Sequence, residues 1–269
     1  MNQAGQWQVV GNAAENYEHY LVPTMFGPWA ENLLDLVEPK LGERVLDLAC
    51  GTGILARLVA ERIGKSGRVV GLDLNPAMLA VARSIAPADP VEWQEASALS
   101  LPFEPGSFDV VVCQQGLQFF PDRPLALAEI RRVLRPGGRV GISTWRGIAQ
   151  APGFAVLAAA VSEEFGGDTA APLRGPFGLA DESMLRGLLV DAGFRDVSIR
   201  SAVRTLEFPS VDAFAIRYLS ASPLAGMVAQ LQDEAREQLL ARVRTGLEPY
   251  VTGDGLRFPI ESHLTTATA

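Results

Sequence analysis

The sequence predicts an α/β protein built from repeated β-α units around a parallel sheet. Three observations carry that prediction. From Arg44 onward, short runs rich in Val, Leu and Ile alternate with amphipathic helical segments, the pattern of strand, crossover helix and strand. The segments between runs carry helix start and stop signals, clearest at Asp122 before "RPLALAEIRRVL" and at "RPGG" after it. With 269 residues, of which 48% are hydrophobic, the chain is also long enough to bury the large core of a one-domain α/β fold with insertions.

Taken in order, strands are expected at "RVLDLA", "RVVGLDL", "VEWQEA", "FDVVVCQ" and "RVGISTW". Helices "GILARLVAERI", "PAMLAVARSI" and "DRPLALAEIRRVL" connect them, and Pro136 with its paired glycines turns the last helix into the fifth strand. After Trp145 the alternation breaks into a short apolar helix with Gly- and Pro-rich connections, read as an insertion over 146–180. The scaffold resumes with the helix "DESMLRGLLVDAGF" and the strand "DVSIRSAVRTLEF". A second helical insertion over 208–250 precedes a final strand, "GLRFPIESHLTTATA". Residues 1–269 are thus read as a single domain, with residues 1–30 as an N-terminal lid and the two insertions as caps.

Composition narrows the function. A formal net charge of −8 without a basic stripe argues against a nucleic-acid partner, because binding phosphates requires clustered Lys and Arg. The two cysteines, Cys50 and Cys113, lie in apolar runs without metal-ligand spacing, so buried free thiols in a reducing compartment are expected, and no metal site. No uninterrupted apolar run reaches the roughly 18 residues of a membrane span, and the N-terminus is polar. A cytoplasmic protein with no membrane span and a small-molecule partner follows as the expectation.

"CGTGILA" at 50–56 fits the G-x-G-x-x-A phosphate turn, which keeps a nicotinamide-dependent oxidoreductase in view. Asp47, at the strand end just before the turn, would attract a positively charged group and repel a pyrophosphate. Asp73 in "GLDLNPAML" ends the second strand, where a carboxylate can accept hydrogen bonds from both hydroxyls of a ribose. "FDVVVCQQGLQFFPD" then gives a fourth strand with a polar tip. Together "VLDLACGTG", "GLDLNPAML", "FDVVVCQQGLQFF" and "LRPGG" resemble the class I S-adenosylmethionine-dependent methyltransferases, in particular the ubiquinone/menaquinone C-methyltransferase-like small-molecule enzymes, closely over about 45–145. The resemblance implies a doubly wound, seven-stranded, mostly parallel Rossmann-like sheet whose last strand is antiparallel. It also implies S-adenosyl-L-methionine as cofactor, with S-adenosyl-L-homocysteine as product.

The resemblance places the cofactor against Asp47, Ala49, Cys50, Gly51, Thr52, Gly53, Asp73, Leu74, Met78, Gln114 and Gln115. Gly51 and Gly53 are expected to let the backbone approach where a side chain would collide. "EASALSLPF" adds Ala96, Ser97 and Leu99 at the adenine edge, although many relatives carry aspartate where this chain has Ser97. Tyr20, in a segment that commonly folds over the cofactor in this family, is either a cofactor contact or an anchor for the N-terminal helix.

Methyl transfer from a sulfonium requires chiefly alignment, and a general base is needed only for a nucleophile that holds its proton tightly. His19 is the candidate for that role, against a solvent-facing alternative; the other histidine, His263, is read as structural or exposed. Candidates for the acceptor wall are Tyr17, Phe26, Gln118, Phe154, Phe177, Phe214 and Tyr218, an aromatic set suited to an apolar or aromatic acceptor, though helical spacing suits a core equally well. A non-catalytic cofactor-binding module remains the second reading.

Overall fold

The chain enters its sheet at the centre and winds outward in both directions. The computed structural model describes residues 11–85 and 90–269. Its strands are β1 (Arg44–Leu48), β2 (Arg68–Asp73), β3 (Val91–Glu95), β4 (Phe108–Gln114), β5 (Leu134–Trp145), β6 (Arg195–Phe208), β7 (Val251–Thr252) and β8 (Gly255–Thr268). They lie in the order β3-β2-β1-β4-β5-β8-β6, with the two-residue β7 folded back on β8 as a hairpin. β1 to β5 pair in parallel, and β8 runs antiparallel between β5 and β6. This is the doubly wound sheet expected from the sequence, its last strand antiparallel, with the small β7 hairpin added.

Alternation along the strands sorts side chains into two layers, as a pleated strand must. Val45, Val69, Val110 and Val112 face helices Gly27–Val37 and Ile54–Ile63 on one side. Leu46, Leu48, Val70, Val111 and Ile142 face helices Arg123–Val133 and Glu182–Asp191 on the other. Asp122 caps the helix after it, its side chain accepting from the Leu125 amide, as the sequence indicates. The glycine corner is a bulge rather than a break: β5 already begins at Leu134, and Gly137 (φ 74°) absorbs the slip from the pair Phe108↔Leu134 to Val110↔Arg139.

A third layer is aromatic and helical. Helices Pro152–Phe165, Val211–Ser220 and Asp233–Leu247 pack with β6 and β8 around Phe154, Phe214 and Phe258. The same cluster takes in Leu21, Met25 and Phe26 from the N-terminal segment, together with Trp29 and Trp145. Among the described residues no helix is long and apolar enough to cross a membrane.

Candidate active site

The order of the strands reverses between β1 and β4, which pair in parallel, and the turns after the two strands diverge there. Open α/β sheets bind ligands at this switch point, outside the carboxyl ends of the strands. A cavity lies there, walled by the turn after β1 (Ala49, Gly51), the end of β2 (Asp73, Leu74, Asn75, Met78), the loop after β3 (Ala96, Ser97, Leu99) and the end of β4 (Gln114, Gln115). Tyr17 and Phe26 from the N-terminal segment, with Phe154, Phe177 and Tyr218, complete its lining.

Two of the four left-handed non-glycine residues among those described lie on this wall, the others being Glu38 and Asp196. Ala49 (φ 57°) and Gln115 (φ 53°) are left-handed although neither is glycine. Such residues persist only where the surroundings over-determine them, and they gather at ligand sites. Gly51 (φ 56°) has the same backbone hand, and a Cβ there would meet only the Tyr17 ring, at 4.0 Å. Asp73 fastens the turn: one carboxylate oxygen accepts the Gly51 amide at 2.8 Å and the other accepts the Asn75 amide at 2.8 Å. Burial raises its pKa, and the Asn75, Gly51 and Leu74 amides oppose that rise.

Several residues expected at the site sit behind the wall. Gly53 lacks a side chain for a packing reason, since a Cβ there would lie 2.2 Å from the Trp93 ring. Cys50 is buried with its thiol beside Gly71, and Thr52 is buried behind the turn. Asp47, 1% exposed, points beneath the turn, and neither carboxylate oxygen has a full hydrogen-bond partner among the described residues. Burial holds its pKa well above the ordinary carboxylate value; the Ala56 amide opposes this, the Asp73 charge adds to it and Arg57 counters it.

The N-terminal candidates also separate. His19 is exposed, with an edge contact to Tyr20 at 4.6 Å, and neither residue lines the cavity. Tyr20 instead sits under the Arg217 guanidinium, 5.2 Å from its ring centroid, and anchors the segment to helix Val211–Ser220. His263 is structural: buried, with Nε2 2.8 Å from the Ala180 carbonyl and Nδ1 3.3 Å from Ser201 Oγ. Gln118 is buried outside the wall and donates to Gln115 Oε1, while Gln115 donates to Ser262 Oγ. Phe214 is a fully buried core ring, 5.5 Å from Phe154.

Residues not anticipated also line the cavity, among them Leu21, Met25, Asn75, Phe119, Phe120 and Trp145. Asn75 follows Asp73 in "DLNP" and its side chain accepts the Ala77 amide, so a helix-entry signal was present in the sequence. Phe119 and Phe120 lie inside the "QQGLQFF" motif, but an apolar residue in a loop carries no sequence mark that separates a cavity wall from a core.

Comparison with known proteins agrees with this geometry. Residues 46–142 match the methyltransferase-domain family. The chain is 45% identical over 115 residues to the 2-phytyl-1,4-naphtoquinone methyltransferase of Thermosynechococcus vestitus, a match over 42% of this chain and 51% of that protein. It is 46% identical over 114 residues to the demethylmenaquinone methyltransferase of Thermus thermophilus, again over 42% and 51% of the two chains. The match thus spans about half the length of these curated relatives. In structure it is similar to phosphoethanolamine N-methyltransferase 2 of Haemonchus contortus, solved with S-adenosyl-L-methionine, at a TM-score of 0.60 and 22% identity over 95% of this chain and 56% of that one. By sequence from β1 into β5, and by fold over most of its length, the chain resembles the class I S-adenosylmethionine-dependent methyltransferases.

Proposed function

We propose that the protein is an S-adenosylmethionine-dependent methyltransferase acting on a small apolar aromatic acceptor of the quinone type. The observation that supports this most is the cavity at the switch point, lined both by a left-handed glycine turn with a carboxylate and by apolar aromatic rings. The quinone class is supported by the names of the relatives matched over 42% of this chain.

The residues fit the cofactor on structural grounds. Gly51 leaves open the space that a side chain would fill, and the Asp73 carboxylate, with about four lone-pair sites, keeps acceptor capacity beyond its backbone amides. Asp73, Gly51 and Ala49 would hold the cofactor with Leu74, Met78, Ala96, Ser97 and Leu99 at the adenine end and Gln114 and Gln115 at the methionine end. When bound, S-adenosylmethionine supplies a methyl group already activated on a sulfonium. The work left to the chain is alignment and exclusion of water, and holding reactants about 3–3.5 Å apart contributes roughly 7–11 kcal/mol to lowering such a barrier. Tyr17, Phe26 and the aromatic wall would carry out that exclusion.

Calorimetric binding of S-adenosylhomocysteine, followed by turnover with phenols, amines and quinone precursors, tests the reading. Tight binding with turnover of a quinone precursor supports it. Binding of NAD(H) instead would point to the oxidoreductase, and cofactor binding without turnover of any acceptor would point to a non-catalytic module.

A further inference from the structure

Residues Tyr17–Phe26 form a π-helix of ten residues containing Pro23. The i→i+5 helix is rare and elsewhere occurs mostly as single-turn bulges at functional sites, so a run of this length needs support from outside itself. That support comes at both ends. Near its start, Glu18 Oε1 accepts from Arg57 Nη2 at 3.0 Å, and Nη1 of the same guanidinium donates at 2.6 Å to the carbonyl of Thr52, inside the glycine turn. At its end, Gln114 Nε2 donates to the Phe26 carbonyl at 2.8 Å. Between these ties Tyr17 stacks on Phe26 at 4.6 Å, with its ring against Gly51.

The Glu18–Arg57 pair is poorly explained by stability. Its side chains are only 21% and 13% exposed, and Glu18 Oε2 is buried with no hydrogen-bond partner among the described residues. Burying two charges while leaving one oxygen unmet costs more desolvation than a well-packed apolar pair would. What the pair does supply is position, because one guanidinium fixes the shape of the turn and the location of the segment that covers it.

We propose that Glu18 and Arg57 are positioning residues that latch Tyr17–Phe26 over the glycine turn and so set how long a cofactor stays in the cavity. The proposal rests on reading that cavity as the cofactor site. Opening the segment breaks the Glu18 bond and removes the partner that aims Arg57 at Thr52, so lid and turn loosen together; a ligand seated on the turn favours the closed lid by the same linkage.

Hydrogen exchange of the amides in 13–26, measured on the free protein and with S-adenosylhomocysteine, tests the latch together with the ligand's dissociation rate. Glu18→Gln and Arg57→Met should each raise both rates about tenfold, the value of one hydrogen bond to a charged group, while amides of β1 and β4 exchange as in the wild type. Arg57→Lys, which keeps the charge, should recover part of the loss. Wild-type rates in both variants would overturn the proposal, and so would equal acceleration in β1 and β4, which would make the pair a general stabiliser. Should Arg57→Met fail to fold, the nearly isosteric Glu18→Gln carries the test. If the wild type itself does not bind S-adenosylhomocysteine, the cofactor reading falls, while exchange in the free protein still decides whether the latch exists.

Discussion

Replacing Asp47 with asparagine should make the ligand-free protein more stable. The side chain is 1% exposed, both oxygens are buried without full hydrogen bonds, and a second carboxylate, Asp73, adds to the unfavourable field. Asn keeps the volume and removes the charge, so the gain is the charged part of the desolvation cost, about 1–2 kcal/mol. For a chain of this size that corresponds to roughly 2–8 °C in Tm. The sign follows from proton linkage. A carboxyl whose folded-state pKa is raised keeps its proton in the folded state after the unfolded chain has lost it. Its favourable contribution is therefore complete below the ordinary carboxylate value and is lost as pH rises through the raised folded value. The advantage of Asp47→Asn should widen as pH rises above the ordinary carboxylate value, read by thermal and urea melts followed by far-UV circular dichroism. A variant less stable than the wild type at every pH would show that the Ala56 amide and Arg57 fully compensate the charge; an advantage independent of pH would show that ionisation is not its source.

Asp73→Ala should weaken S-adenosylhomocysteine binding by about 1.5–3 kcal/mol, on the order of 10–150-fold, and an unchanged calorimetric affinity would remove Asp73 from the site. Two glycine substitutions should fail differently. Gly51→Val puts a branched side chain into the cavity at a φ of 56°, so binding should be lost from a protein that still folds, whereas Gly53→Ala drives a methyl into Trp93 and should cost about 1–3 kcal/mol in a urea melt. Deleting the first 26 residues removes Leu21, Val22 and Met25, each at most 5% exposed, and uncovers Trp29; at about 1.5–3 kcal/mol per side chain, the truncated protein should melt far below the full chain. Both thiols are buried, with that of Cys113 pushed up to about 12, so a thiol reagent should label neither cysteine until denaturant is added.

What the sequence by itself determined was the scaffold and the position of the site along it. Strand runs, the Asp122 cap and the glycine turn are local signals, each fixed by neighbours within a few residues, and they were legible because backbone geometry and periodicity are local; Asp73 was marked by its place at the end of β2, although its partner Gly51 lies 22 residues back. The antiparallel β8 came from resemblance, since pairing partners far apart in the chain leave no local mark. Only the tertiary structure decided which way each side chain faces. Gly51 and Gly53 read alike in sequence, yet one opens on the cavity and the other seats Trp93 from β3, forty residues further on. Tyr17 and Tyr20 lie three residues apart, and the wide turn of a π-helix brings the first to the cavity and the second to Arg217 on a distant helix. Phe154, Phe177 and Tyr218 line the cavity while Phe214 beside them is core, a distinction that composition cannot carry, because an aromatic ring on a cavity wall and one in a core satisfy the same apolar pattern until the opposing layer is in place.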